Sequence, residues 1–412
     1  MKTNIKFRSY FLIFSFLLLT SVVLHSCDFI LTSAIQDDET LDGPIEGLTT
    51  EQLRIFFEGD EQFNKVFTFN EGLGPIFNSS ACANCHVSDG RSHPTLNLKR
   101  FQRNLGGGNF DPLTQFGGLQ LQDKSIPGYS AETIPPQSNA VTERGGPHVA
   151  GLGLIEAIPD ATILLYSDPE DLDGDSISGK PQLVIAPSYL NLPPGPYNGK
   201  YLGRFGRKAG ALLLLQQTVE AYHQDIGITT DLIPDENYNP LVAGYIDPVA
   251  DPEVTANIVH VVVFYLKTLK PPVRRMVNDM RVIAGATKFN EIGCNKCHVP
   301  SMQTGFSPIT ALSNKTVNLY SDMLLHDMGS ELADNFIEGE ANEREWRTTP
   351  LWGLGIIQNA TGRTPFYLHD GRTSDLKTAI LLHGGEAERI KRAFMNLSET
   401  DKQNIISFLG SL

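Results

Sequence analysis

Cysteine is scarce and confined. The 412 residues hold five, one at position 27 and four in two short motifs, "CANCH" at 82–86 and "CNKCH" at 294–298. None is left over for a structural disulfide, so the thiol chemistry after residue 27 lies in the motifs. Positive charge is also short: 33 Lys and Arg against 47 Asp and Glu give a net charge of −14. That balance argues against nucleic acid, whose phosphates recruit basic faces, and suits steering toward a basic redox protein. Alternating apolar and polar runs are missing, so strands are not expected to dominate. The only tryptophans are Trp346 and Trp352. The one long apolar run, from about Phe11 to Leu24, is shorter than a comfortable membrane span.

What precedes and follows that run gives it a reading. Lys2, Lys6 and Arg8 come before it, and "LHSC" ends it, as in a signal peptide over residues 1–26. Cys27 then stands where a bacterial lipoprotein carries its lipid. His25 is unusual before Ser26, and simple cleavage nearby is the alternative. The expectation is an exported protein, periplasmic or an outer-membrane lipoprotein of a Gram-negative bacterium, held to the membrane by its lipid. Loss of the leader takes the formal charge to −17, and residues 27–58 read as a linker.

Three chemistries use paired cysteines. Zinc wants four ligands at knuckle or ribbon spacing, and these motifs lie more than 200 residues apart. A redox dithiol has no use for the histidine that follows each pair at once. Covalent haem needs this pattern: two thiols add to the two vinyl groups, and the adjacent imidazole reaches the iron. Cys82, Cys85 and His86, then Cys294, Cys297 and His298, therefore predict two covalently bound haem c groups.

The flanks repeat too. "FNEGLGPIFNSSACANCHV" and "KFNEIGCNKCHV" share an FNE leader, a glycine and CHV, which looks like a duplicated cytochrome c unit, each copy opening with a helix that runs into its motif. Val261–Leu269 reads as a helix stopped by Pro271 and Pro272. The tail "LSETDKQNIISFLGSL" offers Ser398 as N-cap of a terminal helix. The predicted fold is mainly α: two cytochrome c-like haem domains, 59–270 with insertions and 271–412, with long ordered loops supplied by 37 Gly and 25 Pro.

"GLGLIEAIPD", "GRFGRKAGALLLLQQ", "YSDMLLHDMG", "WRTTPLWGLG" and "FYLHDGRT" with "AILLHGGEA" resemble the di-haem oxidoreductases often named thiol oxidoreductases. These are distant relatives of the bacterial di-haem cytochrome c peroxidases and of MauG-like enzymes. The resemblance runs from about residue 60 to the C-terminus. It implies an electron-transfer haem in the C-terminal unit, with a sixth ligand about four helical turns after the histidine of an HDG motif. That histidine is His369, and His383 follows 14 residues later. His383 thus matches a position held by Met in peroxidases and Tyr in MauG-like proteins, and a bis-imidazole iron lies lower in potential than His/Met. A histidine capping a helix C-terminus is the plainer reading. His326, Met323 and Met328 are weaker ligand candidates, and His260 reads as a core residue. For His369 the resemblance implies a hydrogen bond in the haem pocket or the inter-haem network, or a loop anchor.

At the first haem the resemblance implies an open iron above His86, unless His93 or His148 fills the sixth position. It also implies a glutamate that moves a proton during peroxide cleavage. Glu156 matches, its apolar surroundings suggesting a raised pKa, with a salt bridge to Arg144 or Arg204 as the structural alternative. The sequence departs from the peroxidases in having no tryptophan in its N-terminal half. "DPEDLDGDSISG" places Asp171, Asp173 and Asp175 at calcium-loop spacing, but Ser176 and Gln182 replace the Gly and Glu of a full EF-hand. A Ca2+-clamped loop and a solvated acidic turn both fit. The functional expectation is a di-haem peroxidase-type oxidoreductase, fed by a small redox protein or a quinol-linked donor, with electrons passing from the C-terminal haem to an open N-terminal one. The rival is a di-haem electron-transfer cytochrome without substrate turnover.

Overall fold

Two pairs of crossing helices organise the chain, and each crossing is made at a glycine. The computed structural model describes residues 40–244 and 249–412; Cys27 and the expected leader lie outside them. Eleven α-helices occur among these residues: α1 (Thr50–Asn64), α2 (Cys82–Cys85), α3 (Leu152–Glu156), α4 (Asp160–Leu164), α5 (Leu214–Ala221), α6 (Ala256–Thr268), α7 (Met280–Glu291), α8 (Ile357–Thr361), α9 (Leu376–Leu381), α10 (Glu388–Met395) and α11 (Glu399–Leu409).

In the first pair, α1 crosses α6. The α1 start is fixed by a capping box, Gln52 N donating to Thr49 Oγ1 at 3.2 Å and Thr49 N to Gln52 Oε1 at 2.9 Å. A Cβ on Gly59 would stand 2.5 Å from the Val261 carbonyl oxygen and 2.6 Å from Tyr265 Cβ, so only glycine lets the backbones approach this closely. Four residues on, the Phe63 ring lies 5.4 Å from Tyr265. The second pair repeats the device. A Cβ on Gly285 of α7 would stand 1.9 Å from the Asn404 carbonyl oxygen of α11, and Phe289, again four residues on, packs 5.2 Å from Phe408. Burying such rings contributes roughly 1.5–3 kcal/mol each.

Both phenylalanines also lean on the motif histidines: Phe63 to His86 at 6.2 Å and 47°, Phe289 to His298 at 6.3 Å and 50°. The internal repeat is therefore glycine, three residues, phenylalanine. The shared FNE leader misled in this respect. Phe69 lies in a short turn and is 42% exposed, while its supposed counterpart Phe289 is buried. Nor does a helix run directly into the first motif, because residues 65–81 intervene as turns and a short strand. Ser398 does cap α11, its Oγ accepting from Asp401 N at 3.1 Å.

The expectation of a mainly helical chain needs correction. About a third of the structure is helical, and eleven short strands are present among the described residues. The largest sheet has the order β2-β1-β3, all antiparallel: β1 (Leu98–Gly106), β2 (Asn109–Asp111) and β3 (Ala140–Arg144). Leu98 pairs with Arg144 and Gln102 with Ala140. Along β3 the residues alternate strictly between buried and exposed, so this sheet is half covered. The remaining eight strands are two or three residues long and pin loops together. The larger core joins α1, α3, α5 and α6 with Val299, Val317 and Leu324 of the segment after the second motif. A smaller one gathers α7 and α11.

Candidate haem centres

Past Glu291, Gly293 turns the chain at φ +96° and Cys294–Lys296 form a single 3-10 turn. The turn points Cys294, Cys297 and His298 into a cavity of about 230 Å³, which His383 lines as well. His298 Nδ1 lies 3.1 Å from the Tyr320 carbonyl oxygen, and His383 Nδ1 lies 2.8 Å from that of Ala379. A carbonyl only accepts, so both Nδ1 atoms carry the proton and both Nε2 lone pairs are free for a metal. Burial lowers the pKa of both rings; with His383 nearby, His298 falls to about 4. Both stay neutral at pH 7, the state an iron ligand needs. The path from His369 to His383 is not four turns of helix: Asp375 caps α9 and only Leu376–Leu381 is helical.

His326 is excluded as a third candidate. Its Nδ1 faces Glu386 Oε2 and its Nε2 faces Asp322 Oδ2, both at 2.7 Å. Carboxylates donate nothing, so both nitrogens carry protons and the ring is an imidazolium. Burial opposes that charge, but Asp322 and Cys297 raise the pKa well above the usual value. Met323 is engaged too, its sulfur accepting from Arg347 Nη1 at 3.4 Å.

At the first motif, Cys82 and Cys85 bound α2 and His86 ends it. Burial and the neighbouring Asp225 carboxylate push both thiols up, Cys82 to about 12. The His86 Nδ1 contacts the Gly90 carbonyl at 3.3 Å, and the ring, whose other nitrogen is Nε2, also has a hydrogen bond to the Pro147 backbone. A Cβ on Gly146 would stand 3.2 Å from that Nε2, so the backbone at Gly146 lies beside the ring. His93 is placed elsewhere: it caps the turn at Pro94–Leu96 and meets Phe366 edge-on at 5.1 Å. His148 sits deeper. Burial pushes its pKa down to about 4, a hydrogen bond to the Trp352 backbone opposes this, the nearby Arg207, Arg91 and His86 add to it, and its Nδ1 is buried without a hydrogen-bond partner among the described residues.

These donor sets fit haem. Each offers two thiols and an imidazole whose Nδ1 is fixed by a carbonyl. His298 and His383 are both strongly desolvated yet keep accessible surface, as side chains facing an internal cavity do.

Glu156 is held by structure. Its Oε2 accepts from Leu214 N at 2.7 Å and its Oε1 pairs with Lys267 at 2.5 Å, tying α3 to α5 and α6. The cation is neither Arg144, which pairs with Asp334 and Glu338, nor Arg204, which pairs with Asp160. In the acidic loop the converging carboxylates are those of Asp168, Asp171 and Asp173; Asp175 is drawn off into an ion pair with Lys296 of the second motif.

His369 is buried against Trp346, ring centroids 3.8 Å apart and 7° from parallel. Both line the cavity of the second motif. The His369 carbonyl accepts from Gly145 N at 2.9 Å, one residue from the contact with His86. Trp346 and His369, both in the C-terminal half, thus line the second cavity, while the His369 backbone bonds to Gly145, next to the residue that lies beside His86.

Asp89 is a buried carboxyl three residues beyond His86, 5% exposed and accepting from Tyr265 Oη at 2.8 Å. Burial pushes its pKa up to about 7; Tyr265 opposes this, while Asp42 and Asp60 add to it. An acid whose folded pKa lies above its unfolded value binds its proton more tightly when folded, so stability is lost as pH rises from about 4 through 7. Asp89→Asn keeps the tyrosine bond and is expected to remove most of that slope. Melting temperatures at pH 5 and 8 measure it, and the gain at pH 8 is expected at roughly 1–4 kcal/mol.

The chain matches the family described as "Di-haem oxidoreductase, putative peroxidase" over residues 136–412, a span that contains the second motif but not the first. No curated protein matches it. Among solved structures, Kuenenia stuttgartiensis hydrazine synthase is 14% identical, with 93% of this chain and 98% of that chain covered at a TM-score of 0.39. A MauG-like protein associated with microbial copper homeostasis is also 14% identical, with 93% and 94% covered at 0.41. Likenesses this distant carry no argument about chemistry. The family match is extensive, and on it this chain belongs to the di-haem oxidoreductases.

Proposed function

We propose that the protein is an exported di-haem c oxidoreductase of peroxidase type, with one cytochrome c-like haem domain around each glycine-crossed helix pair. The observation that carries this reading is the pair of CxxCH motifs, the second sharing one cavity with His383. Bound haem supplies two redox irons, one of which must be open if peroxide is the substrate. Cys82 and Cys85 hold one group and Cys294 and Cys297 the other. The carbonyls of Tyr320 and Ala379 hold His298 and His383 in the one tautomer that leaves Nε2 free, and the Gly90 carbonyl faces Nδ1 of His86. His298 and His383 would together hold the second iron, which would suit that site to electron transfer toward the first. The contacts Trp346–His369–Gly145 supply the route. Lipid on Cys27 would hold the protein at a membrane, where a small redox protein or a quinol-linked donor supplies electrons.

A second reading is favoured by one observation, the orphaned Nδ1 of His148 beside the His86 region. If His148 fills the sixth position above His86, both sites are closed and the protein is an electron carrier. EPR of the haem-loaded protein separates the two, recorded fully oxidised and after one-electron reduction. A high-spin ferric signal that shifts with cyanide supports the enzyme. Two low-spin signals indifferent to added ligands in both states would exclude it.

A further inference from the structure

Three arginines lining the cavity of the second motif have no anionic partner among the described residues. They are Arg91, Arg207 and Arg347, the last two only 6% and 7% exposed. Arg207 gives Nε and Nη2 to one carbonyl oxygen, that of Gly145, at 3.0 and 2.7 Å. Arg347 donates from Nε to Gly206 O at 3.0 Å and from Nη1 to Thr348 O at 3.3 Å. Arg91 reaches the Leu368 carbonyl from Nη2, while its Nε is buried with no partner among the described residues. Carbonyls orient a guanidinium but do not neutralise it, and each guanidinium has five N–H donors.

The neighbouring carboxylates are already committed. Asp370 pairs with Arg372 at 2.8 Å, and Asp322 with His326 at 2.7 Å. The contrast within the same region is informative. Arg144 and Lys208 are just as buried, but Glu338 and Asp334 balance them. Burial accordingly pushes Arg91 and Arg347 down to about 10, and Arg207 well below the usual value with Arg91, Arg347 and Arg144 adding their repulsion. Buried cations persist when something pairs with them. Planar guanidinium forks match carboxylates best.

We propose that Arg91, Arg207 and Arg347 form an anion clamp for carboxylates entering this cavity, and that the carboxylates are the propionates of the haem seated on Cys294, Cys297 and His298. Arg207 binds the Gly145 carbonyl, and a Cβ on the next residue, Gly146, would stand 3.2 Å from His86 Nε2, so the clamp reaches from the second motif toward the first. This inference rests on the two-haem reading. The same chemistry would serve a diffusible carboxylate, and the experiment distinguishes the two sources.

The haem-loaded protein, Arg207→Met, Arg347→Met and the matching lysine variants are compared by haemochrome content and by spectroelectrochemical titration. Two haems per chain in the parent keep the two-haem reading, whatever the arginines do. A guanidinium lost beside the second haem removes positive charge that stabilises the reduced iron. The midpoint potential of that haem is therefore expected to fall in the methionine variants and to stay nearer the parent in the lysine variants. If a methionine variant is isolated with one haem and its lysine counterpart with two, the clamp is supported equally. Unchanged haem content and potential in both methionine variants would overturn it. So would a saturable shift of the parent's spectrum by millimolar acetate that the methionine variants lose, since the clamp would then serve a soluble anion.

Discussion

Replacing His383 with glycine is expected to convert one of the two haems from low-spin to high-spin, with complete loss of its low-spin ferric signal. The ring stands in the same cavity as His298, and the Ala379 carbonyl holds its Nδ1 proton at 2.8 Å, so Nε2 is the only ring atom free to bind iron. Imidazole added to the glycine variant should restore the low-spin signal by occupying the vacated space. His383→Met should keep the iron six-coordinate and raise its potential, since thioether favours the reduced state more than imidazole does. A histidine acting only through the α9 dipole predicts something different. Its loss would cost about 0.3–1 kcal/mol of stability and leave both signals in place. EPR of the two variants, with and without imidazole, decides between ligand and cap.

What the sequence made legible was local. The two CxxCH motifs are written in adjacent residues, and the Ser398 cap likewise follows from neighbours in the chain. His383 and His298 do line one cavity, but the helix expected to lead from His369 to His383 is mostly loop. Gly371, at φ +75°, lies in that interval, and the α9 cap forms only at Asp375. The strand alternation of "AVTER" was present in the residues. It was missed because five residues carry too little period to stand out among glycines and prolines. The partner of Glu156 was not legible for another reason: apolar sequence neighbours say nothing about Lys267, which is brought to it by α6 from more than a hundred residues away. Arg91, Arg207 and Arg347 also went unseen, since a lack of partners is a property of three dimensions. For Arg207 the one signal was the basic residue count in "GRFGRK", which no nearby acid in the sequence balances.

The repeat that does organise the fold was hidden by a better-looking one. FNE occurs before both motifs, yet the equivalent pairs are Gly59 with Phe63 and Gly285 with Phe289, each defined by a crossing helix rather than by its neighbours. This equivalence has a large consequence. Gly285→Val places a Cβ where Asn404 O would lie only 1.9 Å away, and that oxygen belongs to the backbone of α11, which cannot rotate aside. The helices must separate, and Phe289, Phe408 and Val282, buried to 3% exposure or less, lose contact together. Overpacking of this kind costs about 3 kcal/mol, the upper end of its usual range, and spreads to His298 because Phe289 leans on its ring at 6.3 Å. Urea unfolding should show the loss, and the spectrum of the second haem should broaden while that of the first stays sharp. Thr287→Ala, on the exposed face of the same helix, is expected to change stability by less than about 0.5 kcal/mol. Equal stability of the valine variant and the parent would mean that α7 and α11 do not cross at Gly285, and with that the pairing of the two helix crossings would fail.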